Sequence, residues 1–257
     1  MKGFAPPSEE PTAPGCRLRG RVAVVTGASS GIGRAIALRM CAEGATVYAV
    51  GRDRVRLDEL RSSPLAKGGS GEIMPARVDL TDDDARTAFV AGLSAEPRVD
   101  LLVVAAGVHG RGEHADAPLR DMDAMYAANI RAPYALIQEL LPRLRLGGGD
   151  IIVVNSMQAI TATGGVGQYA ATRHALRAIT DSLREEVNAD GIRVCSMYLG
   201  RTATPLQEAN CAEEGRPYLP HLLVQPADVA EALIAIVALP KNAEITEIRL
   251  RPAVKSY

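Results

Sequence analysis

Short β-branched apolar runs alternate with longer stretches of helical periodicity from about residue 21 onward. The runs predict seven strands, at Val22–Thr26, Thr46–Val50, Ile73–Val78, Leu101–Val104, Ile151–Val154, Ile192–Tyr198 and Ile245–Leu250. Their continuous apolar character is typical of strands buried on both faces of a parallel sheet. Residues at one-face helical spacing lie between them, such as Ile32, Ile36 and Met40. This alternation predicts an α/β fold with one doubly wound parallel sheet and helices on both of its faces.

The first 19 residues differ from the rest of the chain. They contain Glu9, Glu10 and four prolines without an apolar run, which is typical of a disordered tail and not of a secretory signal. Residues 20–257 show no sequence repeat and no interior linker, so we expect a single domain there.

Charge and cysteine usage exclude several classes of function. The 257 residues carry 29 basic and 30 acidic side chains, without the basic excess of a nucleic-acid binder. No apolar run approaches the roughly 18 residues that span a bilayer. The four cysteines are scattered and form no CxxC pair. We therefore expect a cytoplasmic protein with no nucleic-acid, membrane or metal partner.

A glycine-rich segment follows the first predicted strand and opens the first predicted helix. It reads Thr26-Gly27-Ala28-Ser29-Ser30-Gly31-Ile32-Gly33. Glycines allow a sharp turn and a close backbone approach to a pyrophosphate, and a helix N-terminus presents free N–H groups to it. The G-x3-G-x-G spacing differs from the commoner G-x-G-x-x-G. A turn without a ligand is the alternative, but its place in an alternating α/β chain favours a Rossmann-type dinucleotide site.

The segment TGASSGIG at 26–33 matches in full the cofactor motif of the short-chain dehydrogenase/reductase family. The chain resembles this family from about Arg19 to Pro252. The resemblance implies a nicotinamide-dependent oxidoreductase that acts on a small carbonyl or alcohol. It also implies a homodimer or homotetramer that pairs through the helices near Tyr126–Leu141 and Gly167–Val187.

The end of the second predicted strand bears on the choice of cofactor. NAD-selective sites place an acid near this point, which would fall at about Gly51. The next residue is Arg52, and a guanidinium pairs with a 2′-phosphate. Asp53 follows Arg52 and so lies too far along the chain to serve as this acid, and it suits the N-cap position of the following helix. NADP(H) is therefore predicted over NAD(H). The alternative is that Arg52 is a solvated loop residue with no contact to the cofactor.

Other cofactor contacts are implied by the resemblance. Asp79 and Leu80 lie where family members bind the adenine, although a turn or N-cap role for Asp79 is also plausible. Ala105-Ala106-Gly107 follows the fourth strand, where the family usually has asparagine before Ala-Gly. The small residues leave room for the cofactor, but the missing amides remove hydrogen bonds that brace this strand end.

The segment after the sixth predicted strand resembles the segment of the family whose backbone contacts the nicotinamide. It contains Gly200, Thr202 and Thr204. Both threonines are candidates for the carboxamide contact, and Thr204 has the family spacing from Gly200. Residues 205–225 are expected to form a substrate lid.

Three polar residues match the family's catalytic pattern. Ser156 closes the fifth strand run, Tyr169 lies thirteen residues further on, and Asn129 lies on the preceding helix. Carbonyl reduction requires a hydride from the nicotinamide and a proton for the developing alkoxide. A phenol has an unperturbed pKa of about 10, and a cation four residues away on the same helix face makes its ionisation easier. Ser156 would hold the substrate oxygen.

Position 173 departs from the family, because it is Arg where the Tyr-x-x-x-Lys motif has Lys. Arg173 keeps the positive charge and, with Tyr169, is expected to contact the cofactor. However, a guanidinium is effectively never deprotonated, so it is poorly suited to the water-linked proton chain that the family's lysine forms with the asparagine. Slower or altered chemistry is therefore expected.

The leading interpretation is an NADP(H)-dependent reductase or alcohol dehydrogenase with Tyr169 as general acid/base. The alternative is a catalytically weak or inactive NADP-binding protein that acts as a sensor or interaction protein. Epimerase or dehydratase chemistry is less favoured, since such relatives generally carry an added substrate domain. A metal site in the loop that contains His109, Glu113 and His114 is disfavoured, because the loop offers no convincing third ligand beside the two histidines, whereas His109 is placed to line the substrate cleft.

Overall fold

A seven-stranded sheet forms the centre of the computed structural model, which describes residues 16–93 and 97–254. Its strands are β1 (Val22–Thr26), β2 (Thr46–Gly51), β3 (Glu72–Arg77), β4 (Leu101–Val104), β5 (Asp150–Ser156), β6 (Arg193–Leu199) and β7 (Glu247–Leu250). Every pairing is parallel, and the spatial order is β3-β2-β1-β4-β5-β6-β7. The predicted doubly wound parallel α/β sheet is confirmed.

The strand boundaries differ from the predicted ones mainly where polar residues occur. β5 continues through Asn155 and Ser156, which pair with Tyr198 and Leu199 of β6. Backbone pairing does not require apolar side chains, so the strand extends beyond the apolar run. β7 begins at Glu247, two residues later than predicted, at the edge of the sheet.

The described residues form nine α-helices. They are α1 (Gly31–Ala42), α2 (Arg54–Ser62), α3 (Pro64–Lys67), α4 (Asp83–Gly92), α5 (Leu119–Tyr126), α6 (Ala132–Arg145), α7 (Gly167–Val187), α8 (Pro205–Glu213) and α9 (Pro226–Val237). A π-helical turn, Ala127–Arg131, joins α5 to α6. No helix among these residues combines the length and apolar character required to cross a bilayer.

Two apolar layers cover the two faces of the sheet. One includes Val25 with residues of α1 and α9, and the other includes Val24 with residues of α6 and α7. Val24 and Val25 point to opposite layers because successive side chains of a strand alternate between the faces. The sheet is thus buried on both sides, as the continuous apolar runs indicated.

Residues 16–19, which the sequence pattern assigned to the N-terminal tail, pack against the domain. Leu18 is fully buried, and its N–H donates to the Glu43 carbonyl at 2.9 Å. Hydrogen bonding from the Arg17 guanidinium holds the pKa of the Glu43 carboxyl below its usual range. A single leucine flanked by arginines has no periodicity to reveal its burial. Residues 1–15 of the predicted tail lie outside the described residues.

A buried charge network lies at the amino-terminal edge of the sheet. The Asp150 carboxylate at the start of β5 receives Arg193 Nε at 2.6 Å and Lys241 Nζ at 3.2 Å, with Arg21 Nη1 at 3.6 Å. Arg193 also donates to the carbonyl oxygen of Leu239, at 3.0 Å, just beyond α9. This network connects β5, β6, the approach to β1 and the end of α9 at the edge opposite the carboxyl ends of the strands.

Candidate active site

A cleft of about 520 Å³ opens at the carboxyl ends of the strands. It lies where β1 and β4 are neighbours in the sheet although β2 and β3 separate them in the chain. The loops that follow β1 and β4 diverge at this switch point, which is where ligands bind in open α/β sheets. The glycine loop, the ends of β2 and β3, the loop after β4 and the start of α8 line it.

The glycine loop has a backbone that excludes side chains at two points. Gly27 has φ of +68°, and a Cβ there would lie 2.9 Å from the Ala106 nitrogen. A Cβ on Gly33 would overlap the Gly27 carbonyl oxygen. No side chain caps the start of α1, where Ser30 is the N-cap residue. The first N–H groups of α1 therefore face the cleft without a side-chain acceptor, which suits an anionic ligand.

The floor of the cleft is braced by the Thr26 hydroxyl. Thr26 Oγ1 accepts from the Ala105 and Ala106 N–H groups at 2.9 and 3.0 Å and donates to the Val103 carbonyl at 3.3 Å. These bonds brace the end of β4 and the start of the loop that follows it. Thr26 itself is buried.

At the ends of β2 and β3, the structure places Gly51, Arg52, Asp79 and Leu80 in the lining of the cleft. A Cβ on Gly51 would lie 3.2 Å from the Ser29 hydroxyl, so a side chain there would require Ser29 to shift by a few tenths of an ångström. The Arg52 side chain is exposed to solvent. The Asp53 carboxylate accepts from the Arg56 N–H at 3.1 Å and caps α2.

Asp79 has a turn role in this structure. Its Oδ1 accepts from the Thr81 hydroxyl at 2.7 Å and from the Thr81 N–H at 3.0 Å. These bonds, helped by the charge of Arg52, hold the pKa of the Asp79 carboxyl below its usual range. Within the described residues no hydrogen bond engages its Oδ2, so the turn role leaves one oxygen for a ligand.

Asn129 lies on the π-helical turn and is almost fully buried. Its Nδ2 donates to the Val108 carbonyl at 2.9 Å and to the Thr172 hydroxyl at 3.1 Å. Its Oδ1 accepts from the Val108 N–H at 2.8 Å. The side chain therefore ties the loop after β4 to α7, the helix that carries Tyr169 and Arg173.

Ser156 ends β5 next to a residue that sequence reasoning missed. The Ser156 hydroxyl oxygen accepts from the Gln158 N–H at 3.1 Å, which leaves its proton available to another acceptor. The neighbouring Asn155 donates from Nδ2 to the Arg173 carbonyl at 3.2 Å. Asn155 thereby holds α7 against the strand end. An amide at the end of an apolar run was the only signal for it in the sequence.

Tyr169 contacts the side chains of Arg173 and His109. The Arg173 guanidinium carbon lies 4.9 Å from the centre of the Tyr169 ring. The His109 ring centre lies 4.5 Å from it, with the two planes tilted by 58°. The lining of the cleft includes His109 and does not include the four predicted catalytic residues, Asn129, Ser156, Tyr169 and Arg173.

Arg173 is 7% exposed, and its Nε has no hydrogen-bond partner among the described residues. A Cβ on Gly107 would lie 2.5 Å from Arg173 Nη2 and 3.0 Å from Asn129 Oδ1. The absence of a side chain at Gly107 therefore gives the larger guanidinium the space it occupies. An unpaired buried N–H costs about 1–3 kcal/mol, so Arg173 is placed to gain a ligand as partner.

The two candidate threonines after β6 lie in different environments. Thr204 lines the cleft, and its hydroxyl caps α8 by accepting from the Gln207 N–H at 3.2 Å. The Thr202 side chain is buried, with its hydroxyl on the Gly200 carbonyl at 3.1 Å. The lining of the cleft thus includes Thr204 and does not include Gly200 or Thr202.

The predicted lid, residues 205–225, contains α8 and a short 3-10 turn at Pro220–Leu222. Glu214, just after α8, joins it to the loop after β4, because its carboxylate receives Arg111 Nη1 at 2.7 Å. Arg216 and Arg201 approach the same carboxylate at 2.6 and 3.4 Å. Within the described residues, no three His, Cys, Asp or Glu side chains are grouped as a metal site requires.

Residues 21–215 match the model of the short chain dehydrogenase family. The chain belongs to this family. Membership confirms the resemblance drawn from the glycine motif and establishes that the protein is related to oxidoreductases that use nicotinamide cofactors.

Similar proteins extend over almost the whole chain. An uncharacterized short-chain type dehydrogenase/reductase of Sinorhizobium fredii is 33% identical over 239 residues, which cover 91% of this chain and 92% of the relative. An uncharacterized NAD-dependent oxidoreductase of Mycobacterium tuberculosis is 32% identical over 211 residues, 77% of each chain. A metagenomic short-chain oxidoreductase solved in complex with NADP is 31% identical, with a TM-score of 0.77 over 93% of this chain and all of that one. Family members similar to this chain thus include both NAD- and NADP-associated proteins.

Proposed function

We propose that this family member is an NADP(H)-dependent oxidoreductase that transfers a hydride between the nicotinamide and a small carbonyl or alcohol, with Tyr169 as general acid/base. The observation that carries the proposal is the contact of Tyr169 with the buried, partly unsatisfied guanidinium of Arg173 beside the cleft. The guanidinium charge is placed to stabilise the negative charge that develops on the tyrosine oxygen as its proton leaves.

The residues of the cleft fit a dinucleotide. The free N–H groups at the start of α1 and the close-packed glycine loop suit the pyrophosphate. We assign this contact to Gly27, Ser29, Ser30, Gly31, Ile32 and Gly33. The free Oδ2 of Asp79, with Leu80, would hold the adenine. Ala105, Ala106 and Gly107 would form the floor, Thr204 would bond the carboxamide, and Tyr169 and Arg173 the nicotinamide ribose.

The preference for NADP(H) rests on Gly51 and Arg52. Gly51 lacks the carboxylate that would accept a hydrogen bond from a ribose 2′-OH. Arg52 lies in the lining of the cleft with an exposed side chain, where a 2′-phosphate gains a charge-assisted hydrogen bond. The relatives do not decide the point, since one is described as NAD-dependent.

When bound, the nicotinamide supplies or accepts the hydride. In the reducing direction, the Tyr169 hydroxyl donates its proton to the substrate oxygen as negative charge develops there. The Ser156 proton, which is not used within the described structure, donates a second hydrogen bond to the same oxygen. Arg173 stabilises the phenolate that remains, and Asn129 and Asn155 hold α7 in position through Thr172 and the Arg173 carbonyl.

A weak or inactive cofactor-binding protein, acting as a sensor or interaction protein, is the second candidate. The substitution of Arg for Lys at position 173 favours it, because the guanidinium does not pass protons on. It predicts tight NADPH binding without turnover of any carbonyl.

A parallel titration with NADPH and NADH, followed by nicotinamide fluorescence, tests the cofactor assignment. The chain has no Trp to interfere with the signal. A screen of aldehydes, ketones and diketones with NADPH then tests the activity. Binding without turnover would support the second candidate, and binding of neither cofactor would refute both.

Replacing Tyr169 by Phe tests its role. We expect the Tyr169→Phe variant to lose turnover by at least about a hundredfold, since it lacks the proton donor, while the Kd for NADPH stays within about twofold. Tyr126→Phe, at an exposed tyrosine of α5, is the matched control. Retained turnover in the Tyr169 variant would contradict the mechanism.

The assembly and location of the protein stay predictions. Exposed apolar side chains on α5 and α6, among them Met122, Tyr126 and Tyr134, support pairing of two or four copies through these helices. Analytical ultracentrifugation would measure the state directly. A single domain over residues 20–257 and a cytoplasmic location are likewise proposed from the sequence.

A further inference from the structure

His109 is the titratable ring in contact with Tyr169 in the described structure. It lies two residues beyond Gly107, in the loop after β4, and lines the cleft. No hydrogen bond from the described residues engages its ring nitrogens, so both are available to another group. Neither the glycine motif nor the catalytic pattern assigns it a role.

The charges that face His109 come from three elements. Arg111 lies in the same loop, Arg173 on α7, and Glu213 and Glu214 at the end of α8. Burial, followed by the charge of Arg111, lowers the pKa of His109, and the two carboxylates oppose this only in part. The imidazole is therefore neutral near pH 7, with one nitrogen that donates and one that accepts.

The catalytic cycle requires such a group. Once Tyr169 has given its proton to the substrate oxygen, the phenolate must be reprotonated before the next turnover. Arg173 cannot do this, because its guanidinium does not release a proton. Asn129 is also unsuitable, since its amide is not titratable and both of its N–H donors are engaged by Val108 and Thr172.

We propose that His109 restores the proton of Tyr169 in each turnover and so takes the proton-transfer role that the family's lysine has at position 173. The proposal rests on the proposed function. During reduction, one ring nitrogen gives its proton to the phenolate while the other takes one from water at the mouth of the cleft. One solvent proton is thus consumed for each carbonyl reduced, and oxidation reverses the path. His109 acts through Tyr169 and is not required to touch the substrate.

Two substitutions separate proton transfer from packing. His109→Gln keeps a polar side chain without titration, and His109→Phe keeps the ring contact with Tyr169. We expect both to lower kcat by at least about tenfold with little change in the Kd for NADPH. His114→Gln, an exposed histidine of the same loop, is the matched control and should keep the wild-type rate. A wild-type rate in His109→Phe would show that only the ring contact matters and would overturn the proposal.

The pH profile gives a second readout. In the direction of alcohol oxidation, His109 must accept a proton, so the rate should fall as pH drops through its pKa. This acidic limb should disappear in His109→Gln. An unchanged limb in that variant would assign it to another group and contradict the inference.

A double-mutant cycle with Arg173→Lys tests the link to position 173. A lysine there can pass a proton, so the loss caused by His109→Gln should shrink several-fold in the Arg173→Lys background. If His109→Gln lowers the rate by the same factor in the Arg173→Lys background as in the wild type, His109 does not take over the role of the lysine.

A measurement without turnover completes the test. The chain has only four histidines, so the ring proton NMR signal of His109 is assigned as the one that is missing from the spectrum of His109→Gln. We expect its midpoint below the ordinary value of about 6.5, and a midpoint at or above it would overturn the assignment of a neutral relay. Failure of wild-type protein with bound NADPH to reduce any carbonyl would refute the proposed function itself. Turnover that is indifferent to His109→Gln would refute only the relay.

Discussion

The hydrogen bonds of the Thr26 hydroxyl hold the floor of the cleft in place. Replacing Thr26 by Val keeps the shape of the side chain but removes the acceptor of the Ala105 and Ala106 N–H groups and the donor to the Val103 carbonyl. Each buried N–H left unpaired costs about 1–3 kcal/mol. Both residues are partly exposed at the cleft, so water recovers part of this. We expect the free energy of unfolding to fall by about 2 kcal/mol, near the lower end of that range for two groups.

Urea unfolding of Thr26→Val beside the wild type measures this loss, and a thermal scan should show a decrease in Tm of about 4–8 °C. NADPH binding should weaken as well, because Ala105 and Ala106 form the proposed floor of the site. Thr26→Ser keeps the hydroxyl and removes only a methyl group, so it should retain most of the affinity. If Thr26→Val unfolds within about 0.5 kcal/mol of the wild type and binds NADPH equally well, the bracing role is refuted.

Arg52→Ala should weaken NADPH binding at least about tenfold, because a charge-assisted hydrogen bond is lost, and NADH binding less than about twofold. Equal weakening of both would exclude the 2′-phosphate contact. Arg54→Ala, at the exposed start of α2, is the control. Leu18→Ala should destabilise the fold by about 2–5 kcal/mol in urea unfolding, whereas Leu65→Ala, at a site 66% exposed, should change little. Burial raises the pKa of the Cys195 thiol to about 12, so it should resist alkylation at pH 8 in the folded protein and react in urea; rapid labelling of the folded form would disprove its burial.

Periodicity in the sequence was enough to predict the sheet because each strand interior is decided by local composition. The strands Val22–Thr26 and Leu101–Val104 coincide with their apolar runs. Where contacts with distant residues determine the structure, the hydrophobic pattern did not predict it. β5 extends through Asn155 and Ser156 because β6 continues beside it. Leu18 is buried because α1 and Glu43 offer it a surface, and no neighbour in the chain indicates this.

The candidate site shows the same division. The glycine loop was predictable because its sterics are local to eight consecutive residues. The choice between Thr202 and Thr204 depends on which side chain the loop after β6 turns toward the cleft, and the sequence left it open. Likewise, the contact of His109 with Tyr169 joins residues sixty positions apart. The space that Gly107 leaves for Arg173 shows how a departure from the motif at one position is accommodated at another.

The buried network around Asp150 has a consequence for how this protein can change through evolution. The charged side chains of Arg21, Arg193 and Lys241 secure the sheet at its amino-terminal edge, far from every residue that faces the cleft. Stability and ligand recognition are therefore encoded at opposite ends of the same strands. Substitutions, insertions or deletions in the loop after β4 or in the segment after β6 can alter which substrate is accepted without loosening that anchor. In descendants of such a protein, the loops can change and alter substrate recognition while the sheet and its buried charge network stay almost unchanged.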